Sequence, residues 1–450
     1  MLPNFRRFTD VAMADFDDDQ IKQFISNWFS NEPKTGEECW EKLNSEEHKA
    51  AKELTQTPLL LTLVCLLYQR SRKFPTKQAT LYERALRVLL EEWAGEKGIP
   101  HDDLYKGLDT KRKEMMLSEI AYDAFQADRL FLPKREIANQ IEQLLEEMLA
   151  DETFIDGAAV LKSIEVQHGV LVERAEGIYS FSHLTLQEYL TAQYIDDHRQ
   201  VEQLVSEHLT DRRWQEVFLL VAGLMRVGAD ELLLLMEKEA QKYITTPKLQ
   251  ALLHWAEQAT DGSESDLKPM AKRAIALAYA LAYAYTYAYD NALAYALAYD
   301  NANALAKALA NVNALAKANA LANVNALAKA NANALAYAYA YARHLEQLKI
   351  FKDVNFTVLI AKLEALKAKI PDEKQPKEAH RTFAKRWLQT WLVAFNLPPE
   401  LINLSEEEAE AWKNYFYANY LIIQCKEAAV RVSQKTWAEI EERMLLVPGE

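Results

Sequence analysis

Between Gly169 and Ile195 the sequence reads GVLVERAEGIYSFSHLTLQEYLTAQYI, and this stretch limits the fold more tightly than any other. Val170 to Glu173 has strand composition, and Ala175-Glu176-Gly177 is a tight turn carrying the glycine such turns favour. Ile178 to Ser182 reads as the return strand, with Ile178, Ser180 and Ser182 on one face and Tyr179 and Phe181 on the other. Thr185 is predicted to cap the next helix, with Glu188 three residues on completing a capping box. Leu186, Tyr189, Leu190 and Tyr194 then follow at helical spacing. His183 falls at the junction of strand and helix.

The residues upstream extend this unit. Lys111 to Gln126 is an amphipathic helix through Met115, Ile120 and Phe125, and Leu130 to Leu132 is a short strand. Pro133 starts a helix carrying Ile137, Ile141, Leu144, Leu145 and Met148, and Asp156 or Gly157 precedes another with Val160, Leu161 and Ile164. Helices followed by a small β-hairpin outline a winged helix over 110–198. That layout binds DNA in many repressors, so a DNA-binding regulator is an alternative reading. Charge opposes it: between Lys134 and Asp197 four basic side chains stand against thirteen acidic ones. A phosphate backbone calls for the opposite sign. The predicted recognition helix, Ala158 to His168, offers only Lys162, Gln167 and His168 to a groove.

The whole chain is predicted to be mainly α. Half of its 450 residues are hydrophobic and only 11 are glycine. Its net charge of −14 argues against a general nucleic-acid or anionic-membrane partner. Cys39, Cys65 and Cys425 lie far apart, without metal-ligand spacing, which suits a reducing cytosol. The N-terminus is charged and lacks the apolar core of a signal peptide. The longest apolar run, Pro58 to Tyr68, is too short to span a bilayer. A cytoplasmic location without membrane contact is therefore expected.

Five regions follow from the pattern. Residues 1–105 form a helical domain. There Asp17-Asp18-Asp19 precedes a face of Ile21, Phe24, Ile25, Trp28 and Phe29. The acidic run suits a helix N-terminus, a metal site being the sharper alternative. Asn44 with Glu47 is predicted to open the next helix, ending near Gln56. Thr57 and Pro58 then read as N-cap and first residue of an almost wholly apolar helix. After the winged helix, 199–270 is a helical bundle built on Trp214, Val217, Phe218, Leu232, Met236, Leu249, Leu252 and Trp255. Residues 271–342 are an Ala-rich low-complexity segment. Alanine fills nearly every even position from Ala276 to Ala342, and a twelve-residue repeat begins at Asn313 and again at Asn325. Strict alternation suggests strand, but alanine is the best helix former, so helix is predicted, with breaks at Asp290-Asn291 and Asp300-Asn301. A spacer role is the default for such a segment. Residues 343–450 form a C-terminal helical domain. Asn355 and Ser405 with Glu408 act as caps there, and Trp387, Trp391, Trp412 and Trp437 anchor its core.

Three blocks carry a resemblance to one family. YSFSHLTLQEYLTAQYI resembles the end of the winged-helix domain of bacterial NACHT proteins. These are signal-transduction ATPases with numerous domains, related to animal inflammasome receptors and used in antiphage defence. The resemblance implies that His183 contacts the terminal phosphate of bound ADP and holds the resting state. TPLLLTLVCLLYQR with FPTKQATLYERALRVLLEEW is similar to the helical domain after the nucleotide-binding fold. It implies that Pro58 packs against the adenine ring. The block from FAKRWLQTWLVAF to WAEIEERML resembles a C-terminal helical domain of the same proteins, thought to sense a signal or contact a partner.

None of the glycines opens the G-x-x-x-x-G-K-[ST] loop that cradles phosphates, and no strand ends in paired acidic residues for Mg²⁺. Hydrolysis by these residues alone is not expected. The resemblance implies a regulatory and sensor portion that meets ADP or ATP with Mg²⁺ only through a P-loop nucleotide-binding domain, in cis or in trans. An unidentified signal protein or ligand and a homo-oligomer would be its other partners. A structural helical scaffold, with the Ala-rich segment as a strut, is the remaining alternative.

Overall fold

The computed structural model describes residues 16–45, 48, 51–52, 54–91, 108–148, 155–281, 324–372 and 374–449. These residues are mainly helical, with one small antiparallel sheet. Two compact units emerge. The first holds the described residues up to Gln200 together with 216–227 and 428–430, and the second holds the remainder.

The first unit begins with α1 (Asp18–Trp28) and α2 (Pro33–Leu43). Asp17 caps α1 by accepting from the Gln20 amide at 2.8 Å, and Gln20 answers by accepting from the Asp17 amide at 3.0 Å. The acidic run thus serves helix capping. Asn44 is the C-cap of α2, its side-chain amide donating to the Trp40 carbonyl at 2.8 Å, and the helix it was expected to open falls largely outside the described residues. Glu47 lies outside the described residues. Helix α3 (Pro58–Ser71) follows, and Leu60, Leu61 and every residue from Leu63 to Tyr68 are buried. Helix α4 (Gln78–Glu91) packs on α3 and buries Leu81, Tyr82, Leu86 and Leu89.

The winged helix is built from α5 (Thr110–Gln126), β1 (Leu132–Pro133), α6 (Lys134–Met148), α7 (Gly157–Ser163), β2 (Leu171–Ala175), β3 (Ile178–Phe181) and α8 (Leu184–Asp197). Strand order is β1-β3-β2, all antiparallel, with Leu132 opposite Tyr179 and Leu171 opposite Phe181. The hairpin turns at Gly177, whose φ of 71° favours a residue without Cβ. Only the last residue of the predicted Leu130–Leu132 strand pairs. Pro133 belongs to β1, and Leu130 and Phe131 stay exposed. On α5 the buried face runs through Met116, Leu117 and Ile120, while Met115 points outward. Helices α5 and α8 share the most extensive helix pairing of this unit.

The second unit contains α9 (Val201–His208), α11 (Asp230–Gln241), α12 (Pro247–Thr260) and α13 (Pro269–Leu281). The intervening α10 (Gln215–Leu224) lies almost wholly in the first unit, where it buries Val217, Phe218 and Val221. The second unit continues with α14 (Val324–Leu348), α15 (Phe356–Lys367), α16 (Lys377–Ala394), α17 (Glu406–Ala428) and α18 (Gln434–Arg443). The described ends of the Ala-rich segment are helical, as alanine propensity predicts. Its proposed breaks at 290–291 and 300–301 lie outside the described residues. Helix α14 is no bare spacer: it packs on α15 and α16 and buries Asn331, Leu335, Ala338, Tyr341, Ala342 and Leu345. Ser405 and Glu408 form the predicted capping box, at 3.1 and 2.9 Å. Trp387, Trp391 and Trp412 are buried, whereas Trp437 is half-buried beneath the Lys426 ammonium, 5.3 Å from its ring.

Candidate functional site

Two bonds place His183. The Ser182 amide donates to the Val170 carbonyl at 2.8 Å, which carries the hairpin ladder to the edge of α8. His183 itself is extended, at φ −145° and ψ 144°, and the chain then coils. The predicted Thr185–Glu188 capping box does not form. His183 is the N-cap instead: its Nδ1 accepts from the Thr185 amide at 3.2 Å and lies 2.7 Å from Thr185 Oγ1. An imidazole nitrogen can do this because it presents an acceptor lone pair, as a capping carboxylate does. The return strand ends at Phe181 and the helix begins at Leu184, one residue before the predicted N-cap. Thr185 is therefore already helical.

Glu188, released from capping, turns inward and is 8% exposed. Burial, and then the nearby Glu216 carboxylate on α10, push its carboxyl up to about 7. Tyr82 on α4 is also buried, and burial, with the nearby Glu216 and Glu188 carboxylates, raises its phenol. The Gln78 side-chain amide donates to Tyr82 Oη at 3.3 Å and to the Glu216 carboxylate. Tyr82 also packs against Tyr189, with ring centroids 6.1 Å apart. Gln78, Tyr82 and Glu216 escape sequence reading because they lie 105, 101 and 33 positions from His183 and belong to no shared motif.

Pro58 begins α3 with its ring exposed, after an extended Thr57. Thr57 gives no side-chain cap, and its buried hydroxyl has no hydrogen-bond partner. Pro58 and His183 thus occupy the N-termini of different helices in the first unit, and both helices pack on α4. Pro58 O is held by the Thr62 hydroxyl at 2.8 Å.

The side chains expected of a DNA reader are committed elsewhere. Gln167 and His168 are buried, and Lys162 pairs with Glu165 at 2.9 Å. Arg174 spans the hairpin, donating to Ser180 Oγ at 2.9 Å and to the Ser182 carbonyl at 3.0 Å. Among the described residues, no three His, Cys, Asp or Glu side chains gather as a metal site, and no helix is long and apolar enough to cross a membrane.

Two family matches agree with this architecture. Residues 78–195 match the winged helix-turn-helix domain C-terminal to NACHT, a span from the start of α4 into the last turn of α8. Residues 359–447 match the NACHT C-terminal helical domain 2, from within α15 to just past α18. None of the curated proteins matches the chain. Both matched domains are NACHT-associated, and their order along the chain supports the C-terminal portion of a NACHT-type protein.

Proposed function

We propose that this chain is the regulatory and sensor portion of a NACHT-type nucleotide switch in bacterial antiphage defence. It restrains a P-loop nucleotide-binding domain in its ADP state until a signal acts on the C-terminal helices. The observation that carries this reading is the capping role of His183. Because Nδ1 accepts from a backbone amide, the proton of the neutral ring sits on Nε2, where it can donate to a phosphate oxygen. The N-terminus of α8 adds the positive end of a helix dipole. The exposed Pro58 ring supplies a flat apolar face without a competing N–H, suited to a purine.

Bound ADP or ATP with Mg²⁺ would supply the anionic group whose terminal phosphate distinguishes the two states. The 450 residues contain no phosphate-cradling loop, so the cradle and the metal ligands belong to the nucleotide-binding domain. The chain performs no hydrolysis in this scheme. Its His183 adds a contact that favours one nucleotide state, and signal binding at the C-terminal helices shifts the population toward an open oligomer. The test mixes the full chain with its P-loop domain and follows ADP release. His183→Ala should accelerate release several-fold; equal release from wild type and variant rules the assignment out.

A further inference from the structure

Helix α16 carries charges that work against its own stability. From Lys374 to Ala394 five basic side chains stand against the single acidic Glu378, in a chain whose net charge is −14. Lys377, Arg381 and Lys385 follow one another at i, i+4 and i+8, and all three are exposed. Cations at that spacing repel along the helix surface. Lys377 is also the first residue of α16, after a Pro376 N-cap without a side-chain bond, and a cation there meets the positive end of the dipole. A solvated helix face ordinarily mixes the two signs. Among the described residues the one ion pair on α16 joins Arg381 to Glu378, at 3.9 Å and with both side chains open to water. Lys374, Lys377, Lys385 and Arg386 have no ion-pair partner among the described residues.

We propose that this solvent face of α16 is a docking surface for an acidic polypeptide segment that also carries an apolar side chain. Charge complementarity selects the sign. Negative groups laid along α16 would relieve the repulsion among Lys377, Arg381 and Lys385 and would meet the N-terminal end of the dipole favourably.

Two further features select polypeptide over nucleic acid. Val393 is 61% exposed and lies seven residues beyond Arg386, two turns along the same strip of the helix. A phosphate backbone makes no use of it, whereas an acidic segment with a leucine or valine does. Trp387 and Trp391, the indoles of α16, are buried, so the face offers neither of them as a ring on which bases could stack. The charge of the whole chain acts in the same sense, because a field of that sign opposes a long polyanion more than a short acidic segment. Helix α16 packs on α14 and α15 within the second unit, which leaves the basic face outward. That the docked segment is the signal rests on the function proposed above; the docking does not.

Fluorescence anisotropy of the full chain tests the surface with three labelled probes. The first is a peptide of about 20 residues, mainly Glu with Leu at heptad positions. The others are a poly-Glu peptide of equal length and single-stranded DNA of equal charge. The Glu/Leu peptide should bind saturably, and its affinity should fall as salt is raised. Replacing the stripe together, as Lys377→Gln, Arg381→Gln and Lys385→Gln, should weaken it about tenfold. With the repulsion gone the unfolding midpoint of that variant should not fall, which separates lost binding from lost fold. Val393→Ser should weaken the Glu/Leu peptide and leave poly-Glu unchanged. Absence of saturable peptide binding by wild type, or binding indifferent to the triple variant, overturns the proposal. DNA held as tightly as the peptide overturns it too, in favour of a nucleic-acid partner. Peptide binding that leaves ADP release unchanged in the mixture with the P-loop domain keeps the surface and rejects its use as the signal site.

Discussion

A Cβ placed on Gly157 would lie 2.1 Å from the carbonyl oxygen of Ala138. The N-terminus of α7 is pressed against α6 so closely that the Gly157 amide donates to Glu142 Oε1 at 3.1 Å. Gly157→Ala must push the two helices apart at a backbone atom, which cannot rotate away. A loss of about 1–3 kcal/mol is expected in denaturant unfolding of the unit. Gly177→Ala has open space around its Cβ but keeps a φ of 71°, so only the conformational cost of about 1 kcal/mol applies.

Glu188 makes the first unit sensitive to pH. Its carboxyl is raised from the ordinary range to about 7, so the folded form holds a proton that the unfolded chain releases. Its contribution is complete below the unfolded value near 4.5 and is lost as pH rises through 7. The full difference is of the order of 3 kcal/mol. Unfolding midpoints measured from pH 5 to pH 8.5 should fall for wild type. They should stay much flatter for Glu188→Gln, which is neutral throughout.

In the second unit Arg443 grips Glu237 with two bonds, Nε to Oε1 at 2.9 Å and an Nη to Oε2 at 2.6 Å. Glu237 is buried on α11, whereas Arg443 is partly exposed at the end of α18. Arg443→Met leaves the carboxylate buried and unpaired, at an expected cost of about 1–3 kcal/mol after allowance for solvent screening. Adding Glu237→Leu should recover most of that loss. A double-mutant cycle measures the coupling.

The winged helix should not bind duplex DNA. Arg174 is engaged by its own hairpin, and Gln167 and His168, at the end of the predicted recognition helix, are buried. Fluorescence anisotropy at low salt should show no saturable association. Binding that weakens steeply with added salt would instead restore the repressor reading.

The hairpin was legible because turn glycine, strand alternation and helical spacing all pointed one way at Gly177 and along α8. His183 was legible as a junction residue, but its capping role was not. Histidine is no usual N-cap, and Thr185 with Glu188 offered the conventional alternative. Tertiary burial decided between them: Glu188 is drawn inward beside Glu216, a residue far along the chain that no local pattern connects to it. The same limit hid Tyr82, which reads as one more apolar position on α4.

The Ala-rich segment gives the sharpest contrast between pattern and structure. In a strand, Ala338 and Ala340 would share one face, since side chains alternate with period two. In α14 they separate: Ala338 is fully buried beside Leu335, Tyr341 and Ala342, and Ala340 is exposed. Leucine at the two positions should therefore behave differently. Ala338→Leu overfills a packed seam against α15 and α16 and should cost about 1–3 kcal/mol. Ala340→Leu faces solvent on a helix that tolerates leucine well, so its effect should stay within about half a kcal/mol. Equal losses at both sites, measured by thermal or denaturant unfolding, would return this segment to the strand reading that its alternation first suggests.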